Sequence, residues 1–173
     1  MLRTSARTFF FLGFLVCTGL MLTAFYFQFA QGLNPCPLCI SQRILMVATG
    51  LVFLVASIHN PGIRGIRNYA LIGCGVALIG ASISARHVWI QHLPADEVPA
   101  CGPGLAYMFE YFPLSDTLKA MVNGTGDCAK VDWRLLGLSM PAWVLLCFLL
   151  LAGLSVAQCW NRHHSAPTGK PSP

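Results

Sequence analysis

Four apolar runs, at approximately Phe9 to Phe29, Ile40 to Ile58, Tyr69 to Ile90 and Pro141 to Gln158, dominate the chain. A bilayer core about 30 Å thick takes roughly 20 helical residues to cross, and each run meets that length. Inside the bilayer no water satisfies backbone N–H and C=O groups, so such runs close their hydrogen bonds internally as helices. The 173 residues have a mean hydropathy of +0.64 and only 10% are charged, too apolar for a soluble domain of this size. The expected fold class is an all-α membrane protein, a four-transmembrane-helix bundle with a long loop between helices 3 and 4. One domain is expected over residues 1–160, with loops at about 30–39 and 92–140 and a tail over 161–173.

Arg3 and Arg7 precede the first run as in a secretory signal. That run exceeds the roughly 7–15 residues of a signal's apolar region, however, and no small-residue cleavage site follows. It reads as a retained helix. Arg3 and Arg7, Arg64 and Arg67, and Arg162 with Lys170 fall in the N-terminal segment, the second loop and the tail. The positive-inside rule makes all three cytoplasmic. The acidic residues Asp96, Glu97, Glu110, Asp116, Asp127 and Asp132 agree, since they gather in the third connection on the other side. The net charge of +5 therefore reflects topology; the expected surroundings are a lipid bilayer, and no nucleic-acid partner is expected.

Cys17, Cys74 and Cys147 fall inside spans and Cys159 near the end of the fourth, where free cysteine behaves as a small inert hydrophobe. Cys36, Cys39, Cys101 and Cys128 lie on the extracytoplasmic side, where disulfides form and persist. Cys36-Pro37-Leu38-Cys39 is a C-x-x-C pair, a spacing shared by zinc sites and redox pairs. A four-cysteine zinc site normally uses two close pairs, whereas Cys101 and Cys128 are far apart in sequence, so no metal is expected. A structural staple is the other alternative, giving a tetraspan scaffold with loop disulfides. Against it, a bridge across so small a ring removes little chain entropy, which makes a chemical use of the C-x-x-C the better reading.

Asn34-Pro35-Cys36-Pro37 carries helix-starting signals, and Pro37 suits a first turn because its missing N–H has no partner there anyway. The second helix should begin around Pro37, with Cys39 in its first turn, where free amides and the helix dipole favour a thiolate. Arg43 follows four residues on, along the same face. A cation one turn below a redox cysteine can hold a negative partner, and snorkelling to headgroups is the plainer use. Arg86, His87, Trp89 and His92 mark the extracytoplasmic end of the third span. Of these His87 is read as a hydrogen-bond donor to a carbonyl-bearing cofactor and His92 as an interface anchor. His59 and His163-His164 look like solvated boundary residues.

The third connection turns to Pro, Gly and acidic residues. Its apolar clusters Leu105–Phe109 and Tyr111-Phe112 are too short to span and suit the headgroup layer. Gly102 and Gly104 follow Cys101, and Gly124 and Gly126 precede Cys128, giving mobile backbone where disulfide exchange needs a sulfur to be approached along a workable line. Asn123-Gly124-Thr125 matches a glycosylation sequon and is read as an ordinary turn.

Pro35-Cys36-Pro37-Leu38-Cys39-Ile40 with Gln42-Arg43, and Gly126-Asp127-Cys128-Ala129 through Trp133 to Leu136-Gly137-Leu138 and Met140-Pro141-Ala142-Trp143, resemble the bacterial disulfide bond formation protein B family, DsbB. The likeness runs from the first span through Trp143. It implies an inner-membrane, multi-pass protein-dithiol:quinone oxidoreductase with cytoplasmic termini and periplasmic cysteines, which reoxidises a DsbA-like periplasmic thiol oxidase. The implied cofactor is a quinone, ubiquinone or menaquinone. Cys101 would be attacked by the partner, Cys128 would be its loop companion, and electrons would pass to Cys36–Cys39. Cys39 would stand closest to the quinone, with Arg43 beside a quinone oxygen and His87 near the same site. Ser41 departs from the bulky or aromatic residue the family pattern has between Ile40 and Gln42. A vitamin K epoxide reductase-like protein is set aside because its C-x-x-C lies near the end of a late helix, whereas here it opens the second span.

Overall fold

Each apolar run closes into one helix in the computed structural model, which describes residues 2–131 and 133–163. In chain order the elements are α1 (Leu2–Phe29), α2 (Pro37–His59), α3 (Ile63–Ile90), α4 (Leu105–Tyr111), α5 (Leu114–Asn123), a 3₁₀ turn (Gly126–Ala129), strands β1 (Arg134–Leu135) and β2 (Leu138–Ser139), and α6 (Met140–His163). α1, α2, α3 and α6 are long and apolar enough to cross a membrane. The chain is an all-α membrane protein built on a four-helix bundle. Of the expected tail, Lys170 and His164 lie outside the described residues, as does Asp132.

Three boundaries differ from those expected, the first being α1, which begins at Leu2 and not near Phe9. α3 begins at Ile63, so Arg64 and Arg67 stand on its first turns and the second loop shrinks to Asn60-Pro61-Gly62. α6 runs on to His163, past Gln158. A helix keeps its internal hydrogen bonds wherever the hydrocarbon ends, so hydropathy marks the bilayer edge and not the helix end. The sharp reversal after α2 is made by Asn60, whose left-handed backbone (φ 43°) ends the helix with its N–H on the Ala56 carbonyl.

α1 packs on α2, α2 on α3, and α3 most extensively on α6, while α1 and α6 hardly meet. Close approach comes from small residues: the buried face of α3 is Ala70, Gly73, Ala77, Gly80, Ala81 and Ser84. Phe53 of α2 lies between Gly13 of α1 and Gly73 of α3, and Phe148 of α6 lies over Gly80. Without a hydrophobic driving force between helices in lipid, such small-residue packing is what holds spans together. His87 continues the α3 stripe one turn beyond Ser84 and is buried like the rest.

The third connection forms a cap at one end of the bundle. α4 exposes Tyr107, Phe109 and Tyr111, in keeping with the expectation that this cluster is too short to span. α5 lies against α2, held by the Ser41 hydroxyl donating to the Met121 carbonyl at 2.7 Å, while the Arg86 side chain reaches the Asn123 carbonyl at 3.3 Å. A two-residue hairpin, absent from the sequence reading, then leads into α6: Leu136 and Gly137 both have positive φ (52° and 81°), the signature of a tight primed turn. The Trp143 indole N–H donates to the Leu135 carbonyl and fastens that hairpin to α6.

Gly80→Ala drives a methyl into the Phe148 ring, whereas Gly75 has open space around it. Gly80→Ala is expected to cost about 1–3 kcal/mol by overpacking and Gly75→Ala to be neutral or slightly stabilising. Unfolding in mixed micelles compares the two, and equal effects would remove the close-packing argument.

Candidate redox site

The C-x-x-C pair opens α2 as expected. Cys36 is the residue just before the helix, in extended backbone (ψ 168°), and its sulfur accepts the Cys39 amide at 3.4 Å, doing the work of a capping side chain. Pro37 occupies the first helical position. The two sulfurs are 3.1 Å apart, and all eight cysteines are free thiols in this structure.

Long-range packing completes the site. Leu38, fully buried, meets Ile90 at the end of α3 and Cys128 in the 3₁₀ turn. Gly124, at φ 81°, passes against Leu38 and Ile90 where a side chain would not fit. This contact brings Cys128 and His87 to Cys36, so that the ligating atoms of Cys36, His87 and Cys128 all lie within 4.8 Å of one another. The Cys36 sulfur is 3.7 Å from His87 Nε2. On the ring's other side the buried Gln42 amide nitrogen is 3.2 Å from Nδ1, fixing the imidazole so that Nε2 faces the sulfurs.

Cys101 is exposed, on a segment docked beside the same turn. The Gly126 amide donates to the Ala100 carbonyl at 3.2 Å, and a side chain at Gly126 would collide with the Pro99 carbonyl and the Cys101 sulfur. The glycine before Cys128 is therefore there for close approach as well as for flexibility. The four extracytoplasmic-side cysteines of the sequence reading thus gather at one end of the bundle, an exposed one leading to three that are wholly or partly buried.

Charge is distributed unequally among the sulfurs. Cys128 is pulled down to about 6 from an ordinary 9.0, chiefly by a hydrogen bond from the Cys36 thiol and further by the Leu38 and Thr125 amides and the His87 charge, against the opposing effect of burial. Cys36 is pushed up, first because it donates to Cys128 and next because it donates to Cys39, with burial adding to both. One S–H serves one acceptor at a time, so Cys36 is the proton holder between two competing neighbours. Cys128 is the ready nucleophile.

Cys39 faces elsewhere. With Gln42, Arg43 and Met46 it lines an apolar cavity of about 180 Å³ in the seam between α1 and α6, walled by Phe27, Trp133 and Met140. A smaller cavity of about 80 Å³ shares Cys39 and Arg43 and reaches Cys36 and His87. Arg43 is tied to the last turns of α1: its guanidinium donates to the Gln28 side chain and to the Ala24 carbonyl at 3.3 Å, and stands 5.6 Å from the centre of the Phe25 ring. Ser41 turns away from this cavity toward α5, so its departure from the family pattern bears on loop docking.

The sequence reading gave no site role to Gln42 or Trp133, named only within the family resemblance, and took Cys147, which lines the cavity wall from α6, as an inert span cysteine. Only Gln42 left a usable signal, lying three residues after Cys39 and so on its face of the helix. His92 Nδ1–H donates to the Val88 carbonyl near the end of α3 (2.8 Å), and His59 pairs with Tyr69 (2.9 Å), in keeping with boundary roles.

The family described as disulfide bond formation protein DsbB matches residues 6–158. A protein of Methylococcus capsulatus named disulfide bond formation protein B is 68% identical over 157 residues, covering 91% of this chain and 96% of the relative. One of the same name from Nitrosococcus oceani is 53% identical, covering 91% and 93%. Disulfide bond formation protein B 1 of Pseudomonas aeruginosa is 42% identical, covering 91% and 97%.

Two measurements check this electrostatic arrangement. Thiolate absorbance of the reduced protein should titrate with a step near pH 6 that is missing in Cys128→Ser: the thiolate persists above that pH and is lost below it. A Cys128 step near the ordinary 9.0 would contradict the assignment. Gln42→Met removes the hydrogen bond to the buried His87 Nδ1, and is expected to slow thiol–disulfide exchange between the two cysteine pairs by up to about tenfold and to cost about 1–3 kcal/mol of stability.

Proposed function

The chain belongs to the disulfide bond formation protein DsbB family, and on that footing we propose that it takes electrons from a DsbA-like periplasmic dithiol and passes them to a membrane quinone. The observation that carries the reading is the position of Cys39, which borders the buried sulfur cluster on one side and an apolar cavity in the α1–α6 seam on the other.

The cavity fits a quinone head. Its walls are almost wholly apolar, it opens along a seam where two membrane-facing helices do not close on each other, and Arg43 brings a cation to its edge. A quinone bound there supplies a two-electron, two-proton acceptor from within the bilayer. Cys39 is the residue that meets it, Arg43 orients its oxygen by charge, and Trp133 and Met140 exclude water.

The meeting of Cys36 with Cys128 and the exposure of Cys101 support the following thiol steps. A partner thiolate attacks Cys101 of an oxidised Cys101–Cys128 pair; the S–S bond breaks, a mixed disulfide forms and Cys128 leaves as thiolate. The partner's second thiolate releases Cys101 and departs oxidised. Cys128 attacks Cys36 of the oxidised Cys36–Cys39 pair and displaces Cys39 as thiolate. Cys101 then attacks Cys128, which restores the loop disulfide and leaves Cys36 and Cys39 reduced. Both electrons of the partner now reside on α2, and a low leaving-group pKa at Cys128 speeds the first step. In this reading the cysteine end of the bundle faces the periplasm, both termini the cytoplasm, and the membrane is the bacterial inner membrane.

Quinone reduction by the purified protein with a reduced DsbA-like oxidase tests the proposal. Cys39→Ser and Cys101→Ser should each abolish turnover, and activity surviving Cys39→Ser would sink the route. Arg43→Met should lower kcat/KM for quinone by roughly ten- to a hundredfold, as for loss of a hydrogen bond to a charged group, with a smaller effect on unfolding. No reduction in a folded wild type, tried with several quinones and partners, would leave the tetraspan scaffold with stapled loops.

A further inference from the structure

We propose that in its reduced form the protein binds one thiophilic divalent cation, of the zinc class, through Cys36, Cys128 and His87. The sequence argument against metal counted cysteines in close pairs. The fold makes a different set, one cysteine from the C-x-x-C, one from the far end of the third connection and one histidine from α3.

The separations match the chemistry. Tetrahedral zinc holds sulfur at about 2.3 Å and imidazole nitrogen at about 2.0–2.1 Å, which places neighbouring S and N ligands about 3.6 Å apart and two sulfurs about 3.8 Å apart. The Cys36 sulfur and His87 Nε2 are 3.7 Å apart, and all three ligand atoms fall within 4.8 Å. No backbone rearrangement is needed to close such a triangle around an ion. Cys39, its sulfur 3.1 Å from that of Cys36, is nearer than two zinc-bound sulfurs stand and lies outside the triangle, so water takes the fourth position.

The surroundings suit a ligand set. Metal-binding histidines carry their other ring nitrogen on a polar partner, and Gln42 occupies that place at Nδ1. By turning over, its amide presents the carbonyl oxygen to an Nδ1–H, the tautomer that frees Nε2 for the ion. Access from water is provided by a cavity of about 440 Å³ bordered by Cys36, Pro103, Asp127 and Lys130.

Binding displaces the proton of any ligating cysteine that still holds one, Cys36 first, and leaves the metal's charge state unchanged. It is confined to the reduced protein, because a sulfur in a disulfide carries no thiolate charge to offer. The ion therefore locks the dithiol form: neither cysteine pair re-forms its disulfide until it leaves. This holds whatever the final electron acceptor is.

The test is anaerobic titration of Co²⁺ alone into full-length, metal-free protein in detergent. Reduced wild type should take up one equivalent, with tetrahedral d–d absorption and a thiolate-to-cobalt charge-transfer band, and Zn²⁺ should displace it. The same protein oxidised, an internal control for fold, should show neither band. Cys128→Ser and His87→Phe should each weaken binding more than about a hundredfold, beyond the roughly 10–100-fold that loss of an outer-shell partner costs, and Cys101→Ser should leave it unchanged. Absence of stoichiometric uptake by the reduced wild type overturns the proposal. So does wild-type affinity in either Cys128→Ser or His87→Phe, which would put the ion on the C-x-x-C pair alone.

Discussion

Leu38 is the residue on which the site depends. It lies between the two cysteines of the C-x-x-C, yet its side chain is wholly buried against Ile90 and Cys128. Burying a leucine contributes about 1.5–3 kcal/mol, enough to hold a loop segment that has no regular ladder of its own. The same contact orders three separate stretches of chain. It seats the start of α2 on the end of α3, it draws in the 3₁₀ turn, and it requires a glycine at position 124 because the backbone passes too close for a side chain. An apolar residue inside a redox motif is thus the anchor that makes the polar ones meet.

Around that anchor the polar contacts are few and local. Ser41 takes the Met121 carbonyl near the end of α5, Arg86 takes that of Asn123, and Gly126 takes that of Ala100. None of these involves a reacting sulfur, so the cap can be held while the cysteines exchange partners. The exposed position of Cys101 and the burial of Cys128 divide the labour further: one sulfur can be reached by a large partner, and the other is shielded from it. Shielding matters because a thiolate near pKa 6 would otherwise react with any passing disulfide.

The spans, the start of α2 at Pro37 and the placing of Cys36, Cys39, Cys101 and Cys128 apart from the cysteines within the spans were legible in the sequence, since each follows from local rules of hydropathy and proline geometry. The inward direction of His87 was legible too, in the small-residue stripe of Ala70, Gly73, Ala77, Gly80 and Ser84 that leads to it. What the sequence did not carry was which helices are neighbours. The open α1–α6 seam, the meeting of Cys128 with Cys36, and the turn of Ser41 toward α5 all arise from packing between segments far apart in the chain. The Leu136-Gly137 turn was missed for a different reason: a leucine with positive φ is rare enough that no local rule expects it.

The depth of the C-x-x-C in the bundle is constrained from both sides. A thiolate deeper in the hydrocarbon loses hydration that protein dipoles must replace, and the cost of an uncompensated buried charge is several kcal/mol. A thiolate farther out would lose contact with the apolar cavity and with Arg43. The first turn of a helix meets both demands, because its unpaired amides and dipole stabilise an anion at the end of a membrane-crossing helix. Helical spacing does the rest. Cys36, just outside the helix, looks toward Cys128 and His87, while Cys39, three residues on, looks into the seam with Gln42, Arg43 and Met46. In the proposed function, one turn of α2 joins an exchange among loop sulfurs to a reaction facing the lipid phase, and any change that shifts the helix start away from Pro37 separates those two halves.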